Sequence, residues 1–482
     1  MNREKIKTLL LVVLFITSII LTNEIWIKVP SSLVPMFSKE DTVAEKSYNL
    51  KEIVSPKKYL LNFGGSDANH TVLYSGKDYG LWEIGTSFLK ELFNGEISLE
   101  IMNDEEFLES QNNISLDYYF DNNLDLYLIS KIINTNIPRK VYNQLSRVKS
   151  IHISLQNINY AVFSDGKKHL KIKGSNIEVR DLRKIVSLIR EEDYKRYTSL
   201  RSMNYDSDEY VLLQNKYKVE KVIVENEIDN RESEEVNNIA RKFYDRELDY
   251  IRKIEEDNGT IIFLHKGKTL KIYNNGVLEY FNSLDDTVIE RDLYKSFNSA
   301  LRFISNHMGF PQNVYLSSIE EIEVDRNQGY KFLFEYNIKG LPVKFNEKIS
   351  SAPLEIDVFN ENVTYYKRFV RRKMELPKET NDQSETVVIP FDILNNKNNF
   401  NYILKDYATE NEINMEDLNR DQITGKILSS INDISLVYYD PYTEKSYENL
   451  KVAWIISIND RDYIFDIYTG ERIGYDKMDG VE

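Results

Sequence analysis

Cysteine is absent from the 482 residues. That excludes disulfides, thiolate metal sites and a cysteine nucleophile together. A chain exposed outside a cell must then hold itself by burial and sheet hydrogen bonds. This is common in bacteria without a periplasmic oxidising system and unusual for secreted eukaryotic domains. Positive charge is also in deficit: 62 Lys and Arg against 77 Asp and Glu, a formal net charge of −15. No basic run interleaved with aromatics occurs. Nucleic acid and anionic lipid headgroups are therefore not expected as partners. Histidine is scarce, with His70, His152, His169, His265 and His307. None belongs to H-E-x-x-H or to a spaced ligand pair, so no metal is expected. A Walker A loop, a helix-opening G-x-G-x-x-G and G-x-S-x-G are missing too. The sequence leads to no cofactor, no catalytic residue and no enzyme.

Long apolar runs are missing everywhere but one place. After Arg3, Lys5 and Lys7 comes the stretch from Thr8 to Thr22, followed by Ile25-Trp26-Ile27. A bilayer needs about 20 apolar residues, and residues 8–27 supply a transmembrane helix with Lys7 and Glu24 as end residues. Lys7 can snorkel to the headgroups and Trp26 suits the interfacial belt. The cations on the N-terminal side place residues 1–7 in the cytoplasm and the bulk outside, as a single-pass protein of the cell membrane. A cleaved signal peptide is the rival, but Ile20-Leu21-Thr22-Asn23-Glu24-Ile25-Trp26 lacks the small residues that cleavage requires. Leu9, Val13, Ile16, Thr17, Ile20, Thr22 and Trp26 are the candidate partner-binding residues of this helix. Its small hydroxyl residues allow close helix approach in lipid.

What is present beyond it is a polar, acidic body that is 41% hydrophobic, with 33 Tyr and 22 Phe, enough for packed cores in two to four domains. The expected class is α+β, antiparallel sheets packed with helices. Residues 28–58, with Pro30, Pro35 and Pro56, read as a juxtamembrane linker. Residues 59–288 read as an N-terminal extracytoplasmic α+β domain. In it, Leu81 to Phe93 shows helical periodicity closed by Gly95, and Ile97–Ile101 alternates as a strand. Leu116–Phe120 and Leu124–Leu128 are expected as two more strands. Tyr160–Ile172 and Ile261–Ile272 each read as a hairpin, the first turning around Asp165-Gly166 and the second at Lys266-Gly267. Tyr217 to Val224 is expected to be strand-like, and helices are expected at about 182–189, 234–252 and 290–306.

The C-terminal part reads as two similar modules, 289–376 and 383–482, joined by a polar connector. Ile356-Asp357-Val358-Phe359-Asn360-Glu361-Asn362 aligns without gaps on Phe465-Asp466-Ile467-Tyr468-Thr469-Gly470-Glu471. Trp454, Asp466, Thr469 and Gly470 are candidate structural residues. Trp454 is read as a core aromatic. Asp466 is expected to fix the Thr469-Gly470 turn through backbone N–H groups, and Gly470 to supply its positive φ. Gly64-Gly65-Ser66-Asp67 followed by His70 is the best single candidate for a chemical site, and its bland reading is a glycine turn between strands.

Two features carry a resemblance. The opening Met1-Asn2-Arg3-Glu4-Lys5-Ile6-Lys7-Thr8, with an apolar run ending in Leu21-Thr22-Asn23-Glu24-Ile25-Trp26, resembles the start of the YycH family. These are membrane-anchored regulators of the WalK/WalR two-component system in low-GC Gram-positive bacteria. The C-terminal Trp454 with Tyr463-Ile-Phe465-Asp466-Ile467-Tyr468-Thr469-Gly470-Glu471 resembles the last strands of PepSY-like modules, which the related YycI family shares. In the first module Glu361 and Asn362 stand where that pattern has Gly and Glu. The resemblance implies a non-enzymatic regulator that acts, with a YycI-like partner, on a WalK-like sensor histidine kinase through transmembrane contacts, and so affects cell-wall homeostasis. Two other readings compete: an anchored extracellular ligand-binding module, and a cell-surface hydrolase working through paired carboxylates in a cleft.

Overall fold

The computed structural model describes residues 49–475, apart from 66–68, 76, 157–158, 175–178, 192–193, 218, 245–247, 285, 347–351, 375–384, 413–419, 443–446 and 460. The expected membrane helix, with Leu9, Val13, Ile16, Thr17, Ile20, Thr22 and Trp26, lies outside the described residues. Among the described residues no helix is long and apolar enough to cross a membrane. Residues at the end of the stretch read as linker are folded: Asn49 caps the short helix α1 (Leu50–Ile53), and Lys58 opens the first strand.

The first sheet contains β1 (Lys58–Phe63), β2 (His70–Leu73), β3 (Ile97–Met102), β4 (Ile114–Asp125), β5 (Arg147–Ser154), β6 (Tyr160–Ser164), β7 (His169–Gly174), β8 (Tyr197–Ser199) and β9 (Tyr210–Leu212), in the spatial order β3-β7-β6-β5-β4-β1-β2-β8-β9. Alternation along each strand sends successive side chains to opposite faces. One face carries Tyr59, Leu61, Leu116, Tyr118, Ile151, Ile153, Phe163 and Leu170, all buried. It is covered by α2 (Leu81–Asn94) and by two further helices: α4 (Leu126–Ile132) and, after α5 (Arg139–Tyr142), α6 (Arg180–Glu191). Gly85 of α2 lets the Tyr118 hydroxyl pass; a Cβ there would meet it at 2.1 Å. The opposite face is polar, with Asn62, Asp117, His152 and Ser164, and it is covered in part by the short helix α3 (Asp104–Gln111).

The small strand β10 (Lys216–Tyr217) pairs with β22 (Glu385–Thr386). The remaining strands form one continuous sheet. It includes β11 (Val222–Asn226), β12 (Arg252–Glu255), β13 (Ile261–His265), β14 (Lys268–Ile272), β15 (Leu278–Asn282), β16 (Val314–Val324), β17 (Asn327–Ile338), β18 (Leu341–Phe345), β19 (Leu354–Phe359), β20 (Asn362–Arg368) and β21 (Arg371–Lys373). It ends with β23 (Ile431–Asp440), β24 (Tyr447–Ile458), β25 (Arg461–Asp466) and β26 (Arg472–Tyr475). The path runs β12-β13-β14-β15-β20-β19-β17-β18-β23-β24-β11-β21. Helices α7 (Ser233–Phe243) and α8 (Leu293–His307) pack on its first half, where Phe297 meets Phe332 at 5.3 Å and Phe303 meets Tyr366 at 5.4 Å. Helices α9 (Pro390–Asn395), α10 (Lys397–Glu410) and α11 (Arg420–Ser429) precede the second. Each half thus runs from helix into a long hairpin and then two shorter strands: β16, β17, β19 and β20, then β23, β24, β25 and β26.

The α+β class holds, with one departure from all-antiparallel pairing: β18 and β23 run parallel, Val343 opposite Tyr438. That pairing joins the halves into one sheet. Three local expectations are corrected. Residues 124–128 are not a separate strand: β4 continues to Asp125, whose side chain accepts from the Tyr127 N–H at 2.7 Å and starts α4. The helix expected over 234–252 stops at Phe243, and Arg252 begins a strand. Strand character over 217–224 is broken between β10 and β11.

Trp454 on β24 has no exposed surface, and its Nε1–H donates to the Val388 carbonyl at 2.9 Å. Trp454→Ala should lower the unfolding free energy by about 3–5 kcal/mol, read from urea denaturation. A loss under about 1 kcal/mol would mean that the site collapses around the cavity.

Candidate functional site: a buried charge junction

The first and second sheets meet at seven charged side chains. Lys57 and Lys58 stand at the start of β1, Asp121 on β4, Glu209 just before β9, Glu335 on β17, Lys344 on β18 and Asp433 on β23. Asp433 is the hub. Its two carboxylate oxygens lie 3.2 Å from Lys57 Nζ and 3.0 Å from Lys58 Nζ. Lys57 also meets Asp121 at 2.7 Å, and Lys58 meets Glu209 at 2.8 Å. The Ser435 hydroxyl donates to Asp433 at 2.7 Å. Beside them Lys344 pairs with Glu335, which also accepts from the Tyr315 hydroxyl at 2.6 Å. Two neutral bonds close the seam: the Leu436 N–H donates to the Tyr74 hydroxyl at 3.0 Å, and the Ser207 hydroxyl donates to the Ile431 carbonyl at 2.9 Å.

Electrostatics make this cluster a lock rather than an acid–base site. Burial opposes the charges of Lys57, Lys58, Lys344, Asp121, Asp433 and Glu209, and in all of these but Glu209 the opposite charges decide the outcome. Lys57 and Lys58 hold Asp433 well below the usual carboxylate range, and Lys57 with Lys344 lowers Asp121 against the same opposition. Lys57 and Lys58 are in turn raised above the ordinary lysine value by their carboxylates, although burial pushes the other way. Four carboxylates face three ammoniums, so one negative charge is in excess. It shows at Glu209, which burial, and then the like charge of Asp433, push up despite Lys58. Charged lysines are not bases, and ionised Asp433 and Asp121 are not acids, at neutral pH.

Along the polar face of the first sheet the network continues. Lys58 is paired in register with Tyr119, and its Nζ lies 5.4 Å from the ring centroid. Fully buried Asp117 accepts from Asn62 at 2.7 Å and from Gln111 at 3.2 Å, and His152 Nδ1 lies 2.9 Å away. His70 Nδ1 sits 2.7 Å from the Asn62 amide oxygen. Asp117 and His152 reproduce the orienting half of a catalytic triad. The other half is missing: His152 Nε2 is buried without a hydrogen-bond partner, and the ring has no exposed surface for a substrate to reach. Among the described residues no group of three or more His, Asp or Glu side chains is placed to hold a metal ion.

The glycine turn expected at Gly64-Gly65 is where the structure has it, with φ of 71° and 103° between β1 and β2. Ser66 and Asp67 lie outside the described residues, and His70 turns into the sheet network. His265 ends β13, and His307 stacks on Phe303 at 3.8 Å. Asp466 accepts from the N–H groups of Tyr468 and Thr469 at 2.9 and 3.1 Å, Gly470 has φ 67°, and the Thr469 hydroxyl accepts from the Glu471 N–H at 3.1 Å. The aligned Asp357 has a different environment. The β19–β20 turn spans two residues, too short to fold N–H groups back onto it. One of its oxygens is buried without a partner, and burial pushes its pKa up to about 6. None of the seven junction residues was found from sequence. The available signal was slight: two lysines directly before Tyr59-Leu60-Leu61, and an aspartate between Ile431 and Ile434.

Comparison with known proteins adds the fold. No protein-family model matches the sequence, and no curated protein does. Among solved structures, YycH from Bacillus subtilis superposes with a TM-score of 0.54 over 87% of this chain and 98% of that one, at 13% identity. The chain has the YycH fold. Two further structures share less: a protein from Eubacterium rectale ATCC 33656 (TM-score 0.31, 13% identity, 55% of this chain and 90% of that one) and the Bacillus megaterium YpeB C-terminal domain (0.25, 14%, 51% and 98%). Neither value is high enough to carry an argument.

Two outcomes test this account. Asp433→Ala strips two buried lysines of a shared partner and should cost about 3–5 kcal/mol of stability at neutral pH. A loss below about 1 kcal/mol would mean that water replaces the carboxylate. Asp357→Asn should act in the opposite direction. A carboxyl raised in the folded state penalises folding above that raised pKa, and the penalty fades as pH falls through about 6 toward the ordinary aspartate value. The variant should therefore gain up to about 2–3 kcal/mol at pH 7 and little at pH 4, measured by urea unfolding at both.

Proposed function

We propose that this chain is a non-enzymatic, membrane-anchored regulator that acts on a WalK-like sensor histidine kinase together with a YycI-like partner, and through it on cell-wall homeostasis. The observation that carries the reading is the YycH fold, which extends along 98% of the Bacillus subtilis protein. The N-terminal apolar stretch supports it, since residues 8–27 would place the folded body outside the membrane and leave one helix to meet the kinase's own. Contacts along Leu9, Val13, Ile16, Thr17, Ile20, Thr22 and Trp26 would bias a two-state kinase by packing alone. Residues 289–376 and 383–482 are taken as two PepSY-like modules, following the repeated order of helix, long hairpin and two strands.

The junction supports the same reading. The first described residues, α1 and Lys57-Lys58 at the end of the stretch read as linker, run directly into it. The Trp82 Nε1–H ties Val54 into the core at 3.0 Å, and Lys57 and Lys58 are tied to Asp433, over 370 positions away. The hydrolase alternative is less well supported. It needs two carboxylates across an open cleft, whereas Asp121, Glu209 and Asp433 are buried against Lys57 and Lys58 between packed sheets.

Replacing Leu9–Ile27 with an unrelated apolar helix should abolish regulation of the kinase while the outer body keeps its melting temperature. Regulation that survives the swap rules out the helix-contact mechanism. Cross-linking through the first thirty residues in membranes identifies the helix that lies against it.

A further inference from the structure

Helix α3 is held against the polar face of the first sheet by few contacts. Of its residues only Phe107, Ser110 and Gln111 are buried. A capping box between Asn103 and Glu106 closes its start, and the Gln111 amide donates to Asp117 and Tyr119 at 3.2 and 3.1 Å. Phe107 is its one apolar anchor. The ring lies flat on His169, centroids 4.1 Å apart and planes 11° from parallel, and meets His152 edge-on at 5.9 Å. Met102 and Val162 complete a small apolar cluster with Phe107, and Tyr160 packs against it.

Both imidazoles are more than nine-tenths buried, with side-chain exposures of 8% for His169 and 0% for His152. Each keeps one ring nitrogen buried without a hydrogen-bond partner, Nδ1 of His169 and Nε2 of His152. The other nitrogens explain why. His169 Nε2 lies 3.2 Å from the exposed Asp104 carboxylate on α3, and His152 Nδ1 lies 2.9 Å from Asp117. With these nitrogens donating, the remaining ones are lone-pair acceptors in the neutral rings. An added proton would turn the lone pair into an N–H donor with no acceptor in place, at the cost of leaving a buried donor unpaired.

We propose that α3 is a proton-triggered lid: protonation of His169 beneath Phe107 releases the helix and uncovers Phe107, Met102 and Val162 as an apolar patch. The charged groups around His169 set the balance. Asp104 faces it from α3, Asp165 from the β6–β7 turn, and Asp208 from the segment before β9, where Arg201 holds that carboxylate at 2.7 Å. On β7 itself Lys173 is paired with Glu100 of β3 at 2.8 Å, and Lys171 lies over the Tyr160 ring at 4.2 Å. From β5, His152 is committed to Asp117. Burial outweighs the three aspartates, and the His169 pKa lies below its ordinary value. The closed lid is therefore favoured above the ordinary histidine pKa, and that advantage is lost as pH falls through it toward the lower closed-state value. Each unit between the two values is a factor of ten in the opening equilibrium. The lid adds a proton-dependent change of conformation to the regulatory reading, and it does not depend on which kinase is regulated.

Hydrogen exchange of the full chain in detergent at pH 7.5 and 5.5, with labelling times scaled for intrinsic amide rates, tests the lid. Amides of 103–112 should lose protection several-fold on acidification while those of α8 do not. His169→Gln should remove the response, and Phe107→Ala should open α3 at both pH values. If His169→Gln does not fold, Asp104→Asn should enlarge the acid-induced loss of protection at 103–112, because removing an acid that favours the cation widens the gap between the closed and open states. The lid is overturned by unchanged protection of 103–112, by loss in parallel with α8, by a pH response that persists in His169→Gln, by Phe107→Ala leaving α3 protected, or by a response in Asp104→Asn no larger than in the parent chain.

Discussion

One carboxylate between two ammoniums holds this structure in register. Asp433 reaches Lys57 and Lys58 from a strand that enters the second sheet through the parallel β18–β23 pair. Burying so many charges adds little net stability, because desolvation consumes most of the Coulombic gain. What the cluster supplies is specificity. Apolar faces can slide past one another with little penalty, whereas a shifted Asp433 would strip two buried lysines of a shared partner. The junction therefore sets one arrangement of the two sheets and tolerates few others.

That constraint organises the chemistry around it. From Lys58 the polar network passes through Tyr119 to Asp117, Asn62, His152 and His70, along a face whose opposite side is an ordinary apolar core. Neighbouring strands place these groups side by side by alternation alone. The same face carries the histidines under α3, so a helix with three buried residues borders the charge junction.

Much of the fold was legible where local rules decide. The hairpins at 160–172 and 261–272, helix α2 and the turn after Asp466 follow from periodicity and turn chemistry over a few residues. Misreadings arose where a short motif had two solutions. Leu124–Leu128 alternates like a strand, but the Asp125 side chain captures the Tyr127 N–H and turns the chain into α4. Asp357 and Asp466 occupy aligned positions with opposite fates, because a two-residue turn offers no N–H groups and a longer one offers two. The junction was illegible for a different reason. Among 77 acidic residues, nothing local separates Asp433 or Asp121 from a solvated surface carboxylate.

By itself the sequence determined the α+β class, the absence of thiol chemistry, the apolar stretch at residues 8–27 and the turn-forming residues, since each depends on composition or on neighbours a few positions apart. Only the tertiary structure decided which lysines and carboxylates meet, that the halves of the second sheet join through a parallel pair, and that three of five histidines share one buried face. Those outcomes depend on contacts between residues tens to hundreds of positions apart. Their energies are set by burial and by the arrangement of surrounding charges, and neither is written in any short stretch of chain.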